Sequence, residues 1–113
     1  MIAGVVDLAI VMRALADPDR LRVVELLSEA PRRAGELARD LGVPPPTMSK
    51  HLRTLLEAGV VNDERRQDDA RVRIFRLRHE SVVSVRAWLD QIQAHWDERL
   101  GSFKSHVERK ERR

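Results

Sequence analysis

The chain has no cysteine among its 113 residues. Disulfides, thiolate metal sites and thiol redox switches are excluded together. A membrane-length apolar run is missing too. The longest, Val5 to Leu15, is broken by Asp7 and Arg13 and is too short to cross a bilayer. The start, Met1-Ile2-Ala3-Gly4, lacks the basic segment of a signal peptide, so the cytoplasm is the expected compartment and a membrane is not an expected partner. There are no internal repeats, no low-complexity linker and no glycine-rich phosphate loop. Ser49 and His51 are two apart on a predicted helix, so their side chains diverge. No paired carboxylates sit in a glycine-bounded cleft. Catalysis is therefore not expected, and no cofactor is.

What is present is a highly charged single domain. Hydrophobic residues make up 42% and charged residues 35% of the chain, the balance of a folded protein with a polar skin. This length supports one domain over residues 1–113 with one modest core. The net charge of +3 is mild, but it is unevenly spread. Residues 1–43 carry 6 basic and 7 acidic groups, 44–79 carry 8 and 5, and 80–113 carry 7 and 6. The positive excess falls in the middle, which suggests a polyanion partner.

Residues 5–16, VVDLAIVMRALA, predict a helix that is apolar nearly all round. Such a helix must be covered on every side. A second subunit could cover it, or it could be a central core helix. Asp17-Pro18 is a helix start, an acid at the N-cap and proline at the first helical position. The next helix runs to about Glu29, with Leu21, Val24 and Leu27 inward and Val23 and Leu26 at the flank, until Pro31 stops it. A third, about Arg33 to Leu41, buries Leu37, Ala38 and Leu41. Gly42 then stands where a left-handed C-cap residue usually does.

Residues 41–59 organise the rest. A glycine-led turn enters three prolines and then a helix with Met48, Leu52 and Leu55/Leu56 on one face. The opposite face reads Thr47, Lys50, His51, Thr54, polar and cationic. This is the second helix of a helix-turn-helix. Val60 to Arg66 and Arg71 to Arg78 follow as two short strands around Gln67-Asp68-Asp69-Ala70. The second strand does not alternate cleanly, so a local break or two partly covered faces are expected. Arg65, Arg66, Arg71, Arg73, Arg76 and Arg78 make the ribbon either a cationic surface or a solvated, salt-bridged hairpin.

From Glu80 to about Lys110 runs one amphipathic helix, striped with Val85, Trp88/Leu89, Ile92, Trp96, Leu100, Phe103 and Val107. A helix of ~30 residues spans ~45 Å, more than a domain this small can cover. Aromatic residues are enriched in interface cores. Together with the apolar first helix this predicts a homodimer built from the chain ends, through Val5, Leu8, Met12, Trp88, Ile92, Trp96, Leu100 and Phe103. The expected architecture is mainly α with a small β-hairpin, a winged helix-turn-helix. Residues 17–78 would be the DNA-binding core, and 1–16 and 80–113 the dimerisation helices.

Three stretches, spanning roughly residues 12–78, resemble the ArsR/SmtB family of bacterial repressors. They are Ala14 to Leu27 (ALADPDRLRVVELL); Leu37-Ala38, Leu41-Gly42-Val43, Pro46 to Leu52 (PTMSKHL), Leu55 and Ala58-Gly59-Val60; and Ala70-Arg71-Val72 with Phe75-Arg76-Leu77. Trp88-Leu89 and His95 to Leu100 are similar to a branch that lacks the cysteine metal site and ends in an aromatic-rich helix. The resemblance implies a homodimeric transcriptional repressor that releases operator DNA on a signal, with a small-molecule effector as a further candidate partner.

Double-stranded DNA is then the expected ligand, and an α-helix fits its major groove. Thr47, Ser49, Lys50, His51 and Arg53 are the residues expected to face it, with Arg71 and Arg73 anchoring the wing. The chain departs from the family where Pro44 and Pro45 replace a serine and a polar residue. It departs again where Ala70 replaces the wing glycine. Asp68 and Asp69 would repel phosphate, so the wing is expected to touch DNA through its strands. One alternative is a zinc-responsive repressor. His95 and His106 are eleven apart on one helix face and match the family's C-terminal-helix zinc spacing. Gln93 and Arg109 stand where that site needs acids, and no metal site is expected.

Overall fold

The computed structural model describes residues 7–111, apart from the side chains of Ser105 and Glu111. The elements are α1 (Leu8–Leu15), α2 (Pro18–Glu29), β1 (Arg32–Arg33), α3 (Ala34–Leu41), α4 (Pro45–Glu57), β2 (Val61–Arg65), β3 (Arg73–Leu77) and α5 (His79–Glu111). The chain divides into two compact units after Val82.

The first unit is a helical core edged by a small sheet. Asp7, expected inside the first helix, is instead its N-cap: Oδ1 accepts from the amides of Ala9 and Ile10 at 3.1 and 3.3 Å. The proposed interface residue Val5 lies outside the described residues. α1 turns Val11 and Ala14 into the core, while Leu8 and Met12 are half-buried and Ile10 is exposed. α2 begins as expected, with Asp17 Oδ1 accepting from the amides of Asp19 and Arg20 at 2.8 and 3.2 Å. Its inward face differs from the sequence reading. Val23 and Leu27 are the buried pair, Val24 is half-buried and Leu21 is exposed. The face is rotated because Arg20 also turns inward, to donate from Nε to the carbonyl of Ala14. In α3, Leu37 and Ala38 are buried, whereas Leu41 is only half-buried.

The sheet has three antiparallel strands in the order β1-β3-β2, where a two-stranded hairpin was expected. β1 is two residues long, pairing Arg32 with Phe75 and Arg33 with Ile74. Nothing so short carries a detectable period. β2 pairs with β3 from Val61 opposite Leu77 to Arg65 opposite Arg73. Both faces of β3 are partly covered: Phe75 is buried, and Ile74 and Leu77 are half-buried. At the start of α5, Ser81 is buried and its hydroxyl donates to the Arg78 carbonyl at 2.7 Å.

The second unit is the rest of α5. Its stripe is exposed: Trp88, Leu89, Ile92, Trp96, Leu100 and Phe103 all face solvent. Among the described residues, no helix is long and apolar enough to cross a membrane.

Candidate nucleic-acid interface

The turn into α4 is set by Gly42, whose φ of 63° lies in the left-handed region. The amide of Val43 donates to the Ala38 carbonyl at 3.0 Å and closes the end of α3. Pro44 then takes the N-cap place with extended backbone and no side-chain acceptor. A helix start leaves its first amides without intrahelical partners. Pro45 and Pro46 have no N–H to leave, so of the first three helical residues only Thr47 carries one. The prolines reduce the need for a cap to the single amide of Thr47. They also remove two amides that could have met a phosphate.

α4 is clamped on one side by Met48, Leu52 and Leu55, each at most 2% exposed. On the other side Thr47, Ser49, Lys50 and Arg53 are exposed. Ser49 and Arg53 are one turn apart, with Lys50 beside them, so they form a continuous stripe. His51 is not part of it, which corrects the expected outward face. Its side chain is only 12% exposed. Nδ1 lies 3.2 Å from Arg20 Nη1, and Nε2 lies 3.6 Å from an Asp19 carboxylate oxygen. Arginine has only donors, so His51 Nδ1 is the acceptor. The ring stitches α4 to the start of α2, and Arg20 passes the link on to α1 through the Ala14 carbonyl, at 2.5 Å.

Asp17, Asp19 and His51 offer ligand atoms all within 4.8 Å of one another, the geometry of a cation site. The Arg20 guanidinium supplies the positive charge there, 4.0 Å from the Asp17 carboxylate. The amide of Arg20 first, then that of Asp19, with the Arg20 guanidinium nearby, hold the Asp17 carboxyl below the usual range against the opposing pull of desolvation. Beyond the helix-start acid this network leaves no local signal, since Arg20 and His51 are 31 positions apart. Among the described residues, neither His95 nor His106 belongs to a group of three metal-ligating side chains. Gln93 instead donates to Asp97 at 2.8 Å.

The wing is a lattice of internal ion pairs. Arg73 donates to Asp63 from Nε at 2.8 Å and lies 5.1 Å over the Phe75 ring. Arg71 chelates Asp69 at 3.1 and 3.2 Å, Arg76 meets Glu64 at 2.6 Å, and Arg66 chelates Asp68. Arg65 donates to the Ala70 carbonyl at 2.7 Å. The arginine contacts hold the carboxyls of Asp68 and Asp69 below their ordinary range. The salt-bridged hairpin is thus what forms, with Arg71 still 91% exposed at the tip.

Between α3, α4 and the wing lies a cleft of about 820 Å³. Arg33, Arg39, Ser49, Arg53, Arg71 and Arg73 line it, with Glu36 as its one acid. Glu36 Oε1 accepts from Arg33 Nε at 2.9 Å and reaches back to the Arg33 amide at 3.4 Å, starting α3. The structure therefore gathers Ser49, Arg53, Arg71 and Arg73 in one concavity. Thr47 and Lys50 sit on the exposed side of α4, and His51 is diverted to α2. Arg33 and Arg39 were missed, because in the sequence they read only as the polar face of a supporting helix.

Residues 17–63 match the profile of a family described as bacterial regulatory protein, arsR family. The HTH-type transcriptional regulator Rv2034 of Mycobacterium tuberculosis is 40% identical over 79 residues, covering 70% of this chain and 71% of that one. The HTH-type transcriptional repressor SmtB of the same species is 48% identical over 54 residues, 48% of this chain and 40% of that protein. Among solved structures, the ArsR-like transcriptional regulator from Rhodococcus sp. RHA1 superposes with a TM-score of 0.74 at 30% identity, covering 87% of this chain and 90% of that one. The homodimeric winged helix-turn-helix DNA-binding domain of Mycobacterium bovis Mb0332 gives 0.59 at 26% identity, covering 88% and 94%.

Proposed function

The chain belongs to the arsR family of bacterial regulatory proteins, and from that premise we propose that it represses transcription as a homodimer on a palindromic DNA operator. It is a DNA-binding transcriptional regulator and not an enzyme. One observation carries the DNA reading. α4 buries Met48, Leu52 and Leu55 and presents Ser49, Lys50 and Arg53, with Thr47 at its start, as an exposed polar and cationic stripe. Such a helix enters the major groove, where base edges are distinguishable. Arg53 has the fork that grips guanine or phosphate bidentately. Arg71 and Arg73 bring the wing alongside the duplex, with their charge shared with Asp69 and Asp63. His51 stands behind the helix as a positioning residue.

In this reading residues 17–78 bind DNA, and α1 with α5 joins the two copies. Leu8, Met12, Trp88, Ile92, Trp96, Leu100 and Phe103 supply the apolar contact. The protein works in the cytoplasm, and release by a small-molecule effector is the regulation its family leads us to expect. Two-fold symmetry places the half-sites about one helical turn, ~34 Å, apart.

The test is operator selection from genomic fragments, followed by footprinting and titration with salt. Two protected half-sites on one face of the duplex are expected. Affinity should fall by about 10³ or more between roughly 50 and 200 mM salt if six or more phosphates are contacted. A salt-independent affinity would sink the proposal.

A further inference from the structure

We infer that the cleft between α3, α4 and the wing seats one strand of the DNA backbone through Arg39 and Arg53, and that the wing's own carboxylates mute its arginines. The inference rests on the DNA-binding reading above.

The cleft gathers five arginines against one acid, but they are not equivalent. Arg33 is paired with Glu36 at 2.9 Å, Arg71 with Asp69 at 3.1 Å and Arg73 with Asp63 at 2.6 Å. Among the described residues, Arg39 and Arg53 have no ion-pair partner and no side-chain hydrogen bond. Arg39 comes from α3 and Arg53 from α4, so they face the cleft from different helices. Ser49 adds a hydroxyl on the same wall, one turn before Arg53.

A paired guanidinium is a poor phosphate ligand. Its pair is neutral, so it releases few of the counterions that drive association with DNA. To take a phosphate, Arg71 or Arg73 must also leave Asp69 or Asp63 beside that phosphate, like charge against like. Arg39 and Arg53 lose nothing when a phosphate arrives. They have the planar fork that grips it through two hydrogen bonds. The phosphate contact thus shifts from the wing, where the arginines are most numerous, to the wall between the two helices of the helix-turn-helix. The three prolines fit this arrangement, since they strip amides from the helix start that would otherwise bind phosphate there.

The experiment needs no operator, because phosphate contacts are independent of sequence. Fluorescence anisotropy would follow binding of the full chain to a labelled mixed-sequence duplex of about 30 base pairs, from about 50 to 200 mM KCl. Arg39→Ala and Arg53→Ala should each weaken binding about ten-fold at low salt. Each should also reduce the slope of log affinity against log salt by about 1. Arg39→Lys should keep the slope. Asp69→Asn and Asp63→Asn, which free a wing arginine while keeping a carbonyl acceptor, should tighten binding and steepen the slope. Arg22→Ala, on the exposed side of α2, should change neither.

Unchanged slopes in both arginine variants, with the parent protein binding normally, would overturn the role of the cleft. Weaker or unchanged binding by both aspartate variants would overturn the muting of the wing. A parent protein that ignores the duplex even at low salt would overturn the DNA reading itself. Thermal melts that match the parent confirm that the exposed Arg39 and Arg53 act on DNA and not on folding.

Discussion

Asp17 is one carboxylate with two tasks. Oδ1 accepts from two amides to start α2, and the second oxygen faces the Arg20 guanidinium, which also meets His51. Replacing Asp17 with Ala should cost about 1 kcal/mol, the usual loss of an N-cap. The pH dependence follows from the direction of its shift. Its carboxyl is held low in the folded protein by the Arg20 amide first of all. Its contribution is therefore complete above its ordinary value near 3.8 and is lost as pH falls through the lower folded value. Melting followed from pH 7 down to about 3 should show a plateau and then an acid-side fall, and Asp17→Asn should shrink that fall. At His51 the expectation is structural. Truncation to Ala leaves the Arg20 guanidinium without its ring acceptor. About 1 kcal/mol of stability should be lost in a denaturant melt, along with DNA affinity, because α4 is no longer stitched to α2. A variant that melts like the parent would remove His51 from the positioning role.

Among the elements, those whose signal is local were legible in the sequence. Asp17-Pro18 marked a start, Gly42 an end, and Met48, Leu52 and Leu55 a buried face, because each rests on capping chemistry or on the 3.6-residue period. The face of α4 opposite its buried residues was legible only in part. Ser49, Lys50 and Arg53 point outward, but His51 shares its polar character and points to α2. Periodicity assigns a side, and only the partner at Arg20 decides what lies on that side. β1 was invisible for a related reason, since its two residues acquire a role only by pairing with β3. The wing's charges were counted correctly and its pairing left open, as cross-strand partners depend on register. Leu52 offers a test at this scale. It is 2% exposed at the centre of α4's buried face. Leu52→Ala should cost about 2–5 kcal/mol in a denaturant melt, the range for emptying a packed leucine site. A loss under about 1 kcal/mol would mean that α4 is not anchored to the core as described.

For the whole molecule, the open question is what covers α5. Its 33 residues make a long helix, yet from Val83 onward none of the described residues is buried. Trp96 and Phe103 are 58% and 67% exposed, and Ile92 and Leu100 nearly half exposed. A helix draws most of its stability from packing an apolar face and not from its intrinsic propensity. An apolar stripe of this length therefore calls for a surface of matching chemistry, and a second copy of the same stripe supplies one. A C2 pair is self-complementary by construction. Its consequence for DNA is arithmetic. Two joined recognition helices bind the second half-site intramolecularly, which raises affinity by about 10² to 10⁴ over a single helix. The double variant Trp96→Asp with Phe103→Asp should therefore sediment as a monomer. It should lose helical circular dichroism signal and bind a two-half-site operator at least about a hundred-fold more weakly, close to its affinity for one half-site. If the variant still sediments as a dimer, the chains are joined elsewhere. If the monomer binds the full operator as tightly as the parent, α4 does not act as one of a pair, and the two-fold reading of the molecule fails.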